Sequence, residues 1–235
     1  MRKAVLWGHH VAEYQDMFDL KVHDLTLPLL EYGCGPSAIN AALHKKNSCV
    51  ISVDPLFSLS KTQLFEKVML MFDARVQELK DHRGVLLNVG ALGGLDAFIA
   101  MRRQGLDEFF KDYEQGLIQE RYRSTSIDVL SFADFTFHLA LSSHYFFAEE
   151  KLSSVEEDLV KIKALARLAK EVRIFPLLTQ PGVLSPALGP VLLGLQHDNY
   201  GVEVREVSCA LYPAGNAMLR VWARECVVSS VSDPV

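Results

Sequence analysis

The apolar positions of this chain fall into short runs that alternate with longer segments of helical spacing. Val11, Tyr14, Met17 and Phe18 share one face of a helix over about residues 10–22. Leu27–Tyr32 is a short apolar run, read as a buried strand. Pro36 suits the first turn of a helix that carries Ile39, Ala42 and Leu43 on one side and ends near Lys45–Asn47. Cys49–Asp54, "CVISVD", is a second buried strand closed by an acid. Ser58 to about Lys80 reads as a long helix with Leu64, Val68, Met71 and Phe72 in register. Arg121–Asp128 and Phe135–His144 predict a third and a fourth strand. Ser154 and Glu157 form a capping-box pattern ahead of Val155, Leu159, Ile162 and Leu165, and Glu157 and Lys161 add an i,i+4 pair. Glu171–Leu178 predicts a fifth strand, and a helix runs from Ser185–Pro186 to near His197–Asn199. "GVEVREVSCAL" and "NAMLRVWAR" are two strands around the hairpin-like turn "YPAG".

The stretch 84–120 breaks this rhythm. Its first half is apolar and glycine-rich without a clear period, and its second half, "DEFFKDYEQGLIQERY", is helical. It is expected to be an insertion or lid packed on the core. Alternation of strands and helices means an α/β sheet, mostly parallel and here of seven strands. The terminal hairpin adds an antiparallel strand. Nothing cuts the chain in two, so one domain is expected over residues 1–235.

Composition narrows the class. With 49% hydrophobic and 23% charged residues, the chain is an ordinary soluble globular mix, long enough for a sizeable core. There are 24 basic and 29 acidic residues and no basic block, which argues against a nucleic-acid phosphate binder. The opening "MRKAVLWGHHVAEYQ" has too short an apolar stretch for a signal peptide. Gly84–Ala100 is glycine-broken and carries Asp96, so no membrane span is expected. Cys34, Cys49, Cys209 and Cys226 show no CxxC spacing, and the histidines form no HExxH. Neither a disulfide framework nor a metal site is expected, and a reducing cytoplasm is the default.

The candidate chemistry lies where the first strand turns into a helix: Glu31-Tyr32-Gly33-Cys34-Gly35-Pro36-Ser37. The glycines allow a sharp turn and a close ligand approach, and the helix that follows points free N–H groups at that ligand. Asp54 ends the second strand, placed to accept both hydroxyls of a ribose. Gly33-x-Gly35-x-x-Ala38 also fits a relaxed dinucleotide fingerprint. Glu31 tilts the choice: an acid two residues before the first glycine repels a pyrophosphate and suits a cationic cofactor.

On "LLEYGCGPS" and "ISVDP" the chain resembles the class I S-adenosylmethionine-dependent methyltransferases, whose fold is Rossmann-like with helices on both faces of the sheet. The segment from Ser126 to Phe147 resembles the one that holds their adenine contact and fourth strand. "YQDMF", "EVRIFPLL" and "GNAML" are similar to a bacterial group of unassigned substrate. The resemblance implies S-adenosylmethionine as cofactor. It implies that Glu31, Gly33, Cys34 and Gly35 line the methionine end, Asp54 holds the ribose, and Pro55 and Leu56 flank the adenine. Ser126 and Ile127 fall at the adenine edge, where Ser126 replaces the family's usual acid. Ser142 and Ser143 fall beside the reactive methyl, and His138 stands where an acid is usual. An N-terminal helix carrying Tyr14 often closes over such a cofactor.

His144 follows the fourth strand and is the candidate general base, with a plain strand-ending role as the alternative. His9 and His10 are expected at the surface. Arg102, Arg103, Arg121 and Arg123 are expected on solvated faces, an anionic acceptor being the alternative. Gly90-x-x-Gly93-Gly94 lacks the lysine of a phosphate loop. The expected function is methyl transfer to an unidentified acceptor, a small molecule being favoured. The competing readings are a binding protein without turnover and a nicotinamide-dependent oxidoreductase.

Overall fold

In the computed structural model, residues 8–81, 87–147, 154–180, 182–209, 211 and 215–224 are described. β1 (Leu29–Tyr32) is buried at all four positions, as in a central parallel strand covered on both faces. β2 (Val50–Val53) and β4 (Phe137–Ser143) flank it in parallel, with Glu31 opposite Ser52 on one side and Leu141 on the other. β3 (Tyr122–Arg123) extends the sheet beyond β2, and β5 (Ala169–Phe175) extends it beyond β4. β9 (Ala217–Ala223) then inserts antiparallel between β5 and β8 (Tyr200–Glu206). The order is β3-β2-β1-β4-β5-β9-β8, a Rossmann-like, mostly parallel sheet with a C-terminal antiparallel hairpin. β6 (Leu178–Gln180) and β7 (Val183–Leu184) form a separate two-stranded ribbon.

Side chains alternate across the strands, so Leu29 and Leu30 enter different apolar cores. The Leu29 face is covered by α1 (Val11–Phe18), α2 (Ile39–His44), α3 (Lys61–Asp81) and α4 (Leu95–Ile118). The Leu30 face is covered by α5 (Val155–Leu168) and α6 (Leu188–His197).

Several boundaries differ from those read along the chain. α1 stops at Phe18 because Asp19 turns left-handed, at φ 48°. β3 keeps only two residues of the predicted 121–128 strand, and Ile127–Val129 coil into a 3-10 turn. β4 begins at Phe137, since Phe135 is left-handed. β5 stops before Pro176, which has no N–H for the ladder. The turn at 212–215 lies, except for Gly215, outside the described residues.

The largest difference concerns 84–120. Its main described part is α4, whose Phe98, Leu106, Phe109 and Tyr113 are buried in the core of the Leu29 face. Those residues recur at helical spacing, so over Leu95–Ile118 the chain forms a wall of the domain rather than a cover above it. Residues 8–10 lie against this wall. Gly8 is left-handed, at φ 63°, and a Cβ on Gly105 of α4 would stand 2.2 Å from the Gly8 carbonyl oxygen. Among the described residues no helix is long and apolar enough to cross a membrane.

Gly105→Ala is therefore expected to destabilise the fold. The helix-propensity gain is about 1 kcal/mol, whereas overpacking against a backbone atom costs about 1–3 kcal/mol. Urea denaturation of the variant should show a lower midpoint, and a raised midpoint would rule out the close packing of residues 8–10 on α4.

Candidate functional site

Strand order reverses between β1 and β4, and ligands of open α/β sheets bind outside the carboxyl ends of strands at such a point. The β1–α2 loop occupies that place. Gly33 and Gly35 are left-handed, at φ 65° and 57°, which favours glycine. Gly33 has a second reason to lack a side chain: a Cβ there would meet the Tyr145 ring at 2.1 Å. Tyr145 is set against the loop by an edge-on contact with Tyr32 and a 3.2 Å bond between their hydroxyls.

Both predicted carboxylates serve this loop. Asp54 Oδ2 accepts the Gly35 N–H at 2.9 Å, and Oδ1 accepts the Leu56 N–H at 2.9 Å. Asp54 thereby caps the 3-10 turn Pro55–Ser58. Glu31 is only 1% exposed. Its Oε1 accepts from Ser37 Oγ at 2.8 Å, and its Oε2 accepts from Ser52 Oγ. Burial raises the Glu31 pKa; hydroxyl contacts from Ser52, Tyr14 and Ser37 oppose that rise, and the charge of Asp54 adds to it.

Ser52 continues inward. Asn40 Nδ2 donates to Ser52 Oγ at 2.8 Å, and Arg121 donates to Asn40 Oδ1. Arg121 makes two 2.8 Å bonds to Asp112, which also accepts from Tyr122 Oη at 3.0 Å. Arg121, expected on a solvated edge, is therefore a buried brace between β3, α2 and α4. Cys34 is buried, and burial followed by the charges of Glu31 and Asp54 pushes its thiol pKa well up. It is a small residue in a crowded turn with no tendency to form a thiolate.

The β4 end forms the opposite wall. Ser142 Oγ donates to the Tyr32 carbonyl at 2.9 Å. Ser143 Oγ lies 2.6 Å from His144 Nδ1. His144 is left-handed, at φ 57°, and its ring stacks on His9 at 5.0 Å. Burial, followed by the charges of Arg102 and Arg75, lowers its pKa to about 3. Such a histidine is neutral at neutral pH and a weaker base than an exposed imidazole.

His9 and Arg102 were both expected in solvent and are both 1% exposed. Arg102 Nη1 lies 2.6 Å from His9 Nδ1, and the guanidinium pairs with Glu13 at 2.5 Å. The His9 carbonyl accepts the Ala38 N–H at 2.9 Å at the start of α2. Residues 8–10 thus strap the loop to α4. Two signals were present along the chain. His10 and Glu13 form a capping box, and Arg102 shares the apolar face of α4 with Phe98, Leu106 and Phe109.

Of the other predicted residues, Tyr14 is buried, with its hydroxyl beside Glu31 and Ser37. Pro55 and Leu56 follow Asp54 in the turn, with Pro55 exposed. Ile127 is buried in the same apolar cluster as Val53. Ser126 is exposed. Among the described residues no cluster of three or more His, Cys, Asp or Glu could hold a metal ion.

No family model matches the chain. An uncharacterized protein of Methanocaldococcus jannaschii is 24% identical over 219 residues, which cover 93% of this chain and 96% of that protein. Among solved structures, the bifunctional kinase-methyltransferase WbdD aligns over 95% of this chain at 13% identity and a TM-score of 0.46. This chain spans 41% of that one. A TehB-like SAM-dependent methyltransferase from Corynebacterium glutamicum aligns over 85% of this chain and 81% of its own, at 15% identity and a TM-score of 0.42. A SAM-dependent methyltransferase from Aquifex aeolicus aligns over 89% and 90%, at 16% identity and a TM-score of 0.39. Likenesses of this size assign no activity.

Arg102→Ala leaves Glu13 buried without its cation, and the expected loss is about 3–5 kcal/mol in chemical denaturation; a change below 1 kcal/mol would deny the pair its anchoring role. Acid sensitivity follows from His144. The unfolded chain takes up its proton near pH 6.5, roughly, whereas the folded chain does so only near 3. Stability contributed by this group is thus present at neutral pH and is lost as pH falls through that window. His144→Asn, which tolerates the left-handed backbone, should flatten the loss, as read by unfolding midpoints against pH.

Proposed function

We propose that this chain binds S-adenosylmethionine at the β1–α2 loop and transfers its methyl group to an acceptor, a small molecule being the favoured class. One observation carries the reading: two buried carboxylates, Glu31 and Asp54, hold a single left-handed glycine loop at the sheet's switch point. Two acids at this place gain from a cationic ligand and supply no countercharge for a pyrophosphate, which disfavours a nicotinamide cofactor.

When bound, the donor supplies a methyl group made electrophilic by its sulfonium. The chain's own residues have positional work. Glu31 faces the ammonium end, and Asp54 takes the ribose hydroxyls. Ser143, held to His144, lines the methyl side with Tyr145. The acceptor's lone pair forms the new bond as the carbon–sulfur bond breaks, and alignment with exclusion of water provides the acceleration. His144, with its pKa near 3, fixes the wall and is not the base. That low basicity supports a second reading, a cofactor-binding protein without turnover.

Titration calorimetry with S-adenosylmethionine and with NADH tests the assignment. S-adenosylmethionine should bind in preference, and Asp54→Ala should weaken it by about 1–3 kcal/mol. Preference for NADH, or unchanged affinity in the variant, would remove the reading. Release of labelled methyl to a panel of small acceptors separates turnover from binding alone.

A further inference from the structure

Glu31 is a buried acid in an unusual setting. It sits inside the central strand, and both of its oxygens are held by neutral hydroxyls, Ser37 from the loop and Ser52 from β2. Among the described residues no Lys, Arg or His forms an ion pair with it. Titratable groups couple to it from four directions: Tyr14 on α1, Cys34 in the loop, Asp54 after β2 and Tyr122 on β3. All four are neutral or negative. Arg121 reaches Glu31 only through Asn40 and Ser52, and it is paired with Asp112. A buried carboxylate without a countercharge is disfavoured against its protonated form, and the neighbouring charge of Asp54 acts in the same sense.

Tyr14 supplies the second observation. Its hydroxyl is fully buried beside Glu31 and Ser37, a contact that favours the charged form of Glu31. Buried polar atoms are normally satisfied. A hydroxyl set beside a buried acid supports that acid's charged form once a countercharge arrives.

We infer that a cationic ligand entering this loop binds with release of one proton from Glu31 to solvent, and that the Tyr14 hydroxyl beside it stabilises the carboxylate so formed. This rests on the reading that the ligand is S-adenosylmethionine, whose ammonium supplies the missing countercharge. The balance is simple: the O–H bond of Glu31 breaks, its proton passes to the buffer, and the incoming positive charge replaces it.

Calorimetric titration of the full chain with S-adenosylmethionine, in two buffers of different ionisation enthalpy at weakly acidic pH, counts the protons. Release of about one proton is expected for the native protein. None is expected for Glu31→Gln, nor for methylthioadenosine, which lacks the ammonium-bearing end. Tyr14→Phe should weaken S-adenosylmethionine by about tenfold. Infrared spectra of the ligand-free protein give a reading that needs no ligand: a protonated-carboxyl band that Glu31→Gln removes. Binding of S-adenosylmethionine without proton exchange, or absence of that band, overturns the inference while the cofactor assignment stands. Absence of S-adenosylmethionine binding by the native protein overturns the assignment itself, and with it the ligand named here.

Discussion

A carboxylate in the middle of a central strand, cut off from water on both faces, has to be held by whatever surrounds it. Burying such a group without partners is among the most unfavourable things a fold can do. Around Glu31 the consequences spread outward in order. Ser52 stands opposite it in register and donates to one oxygen. Ser37 bends back from the loop to donate to the other, which draws the loop toward the strand. Asn40 supports Ser52, Arg121 supports Asn40, and Asp112 balances Arg121. One side chain thus organises β1, β2, β3, α2 and α4 around a single turn of backbone.

The second acid works on the same turn from the other side. Asp54 ends β2, caps the short helix that follows, and holds the Gly35 N–H. Its two oxygens tie the loop to β2. The loop is therefore framed by negative charge and by left-handed glycines. Opposite it, residues 8–10 lie pressed between α4 and the start of α2, with Arg102 joining His9 to Glu13. The same contacts bury His9 beside His144 and keep both imidazoles neutral through burial and the charge of Arg102. A wall built this way is poorly basic.

Legibility along the chain followed how local each feature is. The order acid, glycine, glycine, helix is a property of consecutive residues, and so is an acid at the end of an apolar run; Glu31, Gly33, Gly35 and Asp54 were readable for that reason. The helix α4 was less so. Glycines at 90, 93 and 94 hid the regular recurrence of Phe98, Leu106, Phe109 and Tyr113 that makes it a core element. His9, Arg102 and Arg121 were misplaced in solvent because their burial is set by partners far away in the chain. Arg102 answers to Glu13, and Arg121 to Asn40.

Alternation of apolar runs and helical spacing by itself determined an α/β chain with a mostly parallel sheet and a closing hairpin, because strand and helix periodicity are written residue by residue. It also determined where the backbone must turn sharply, since glycine is the residue that turns left-handed freely. Only the tertiary structure decided which charged groups lost their water, and that decision sets their protonation and their use. Desolvation depends on everything packed around a side chain, and neighbours in space are not neighbours in sequence.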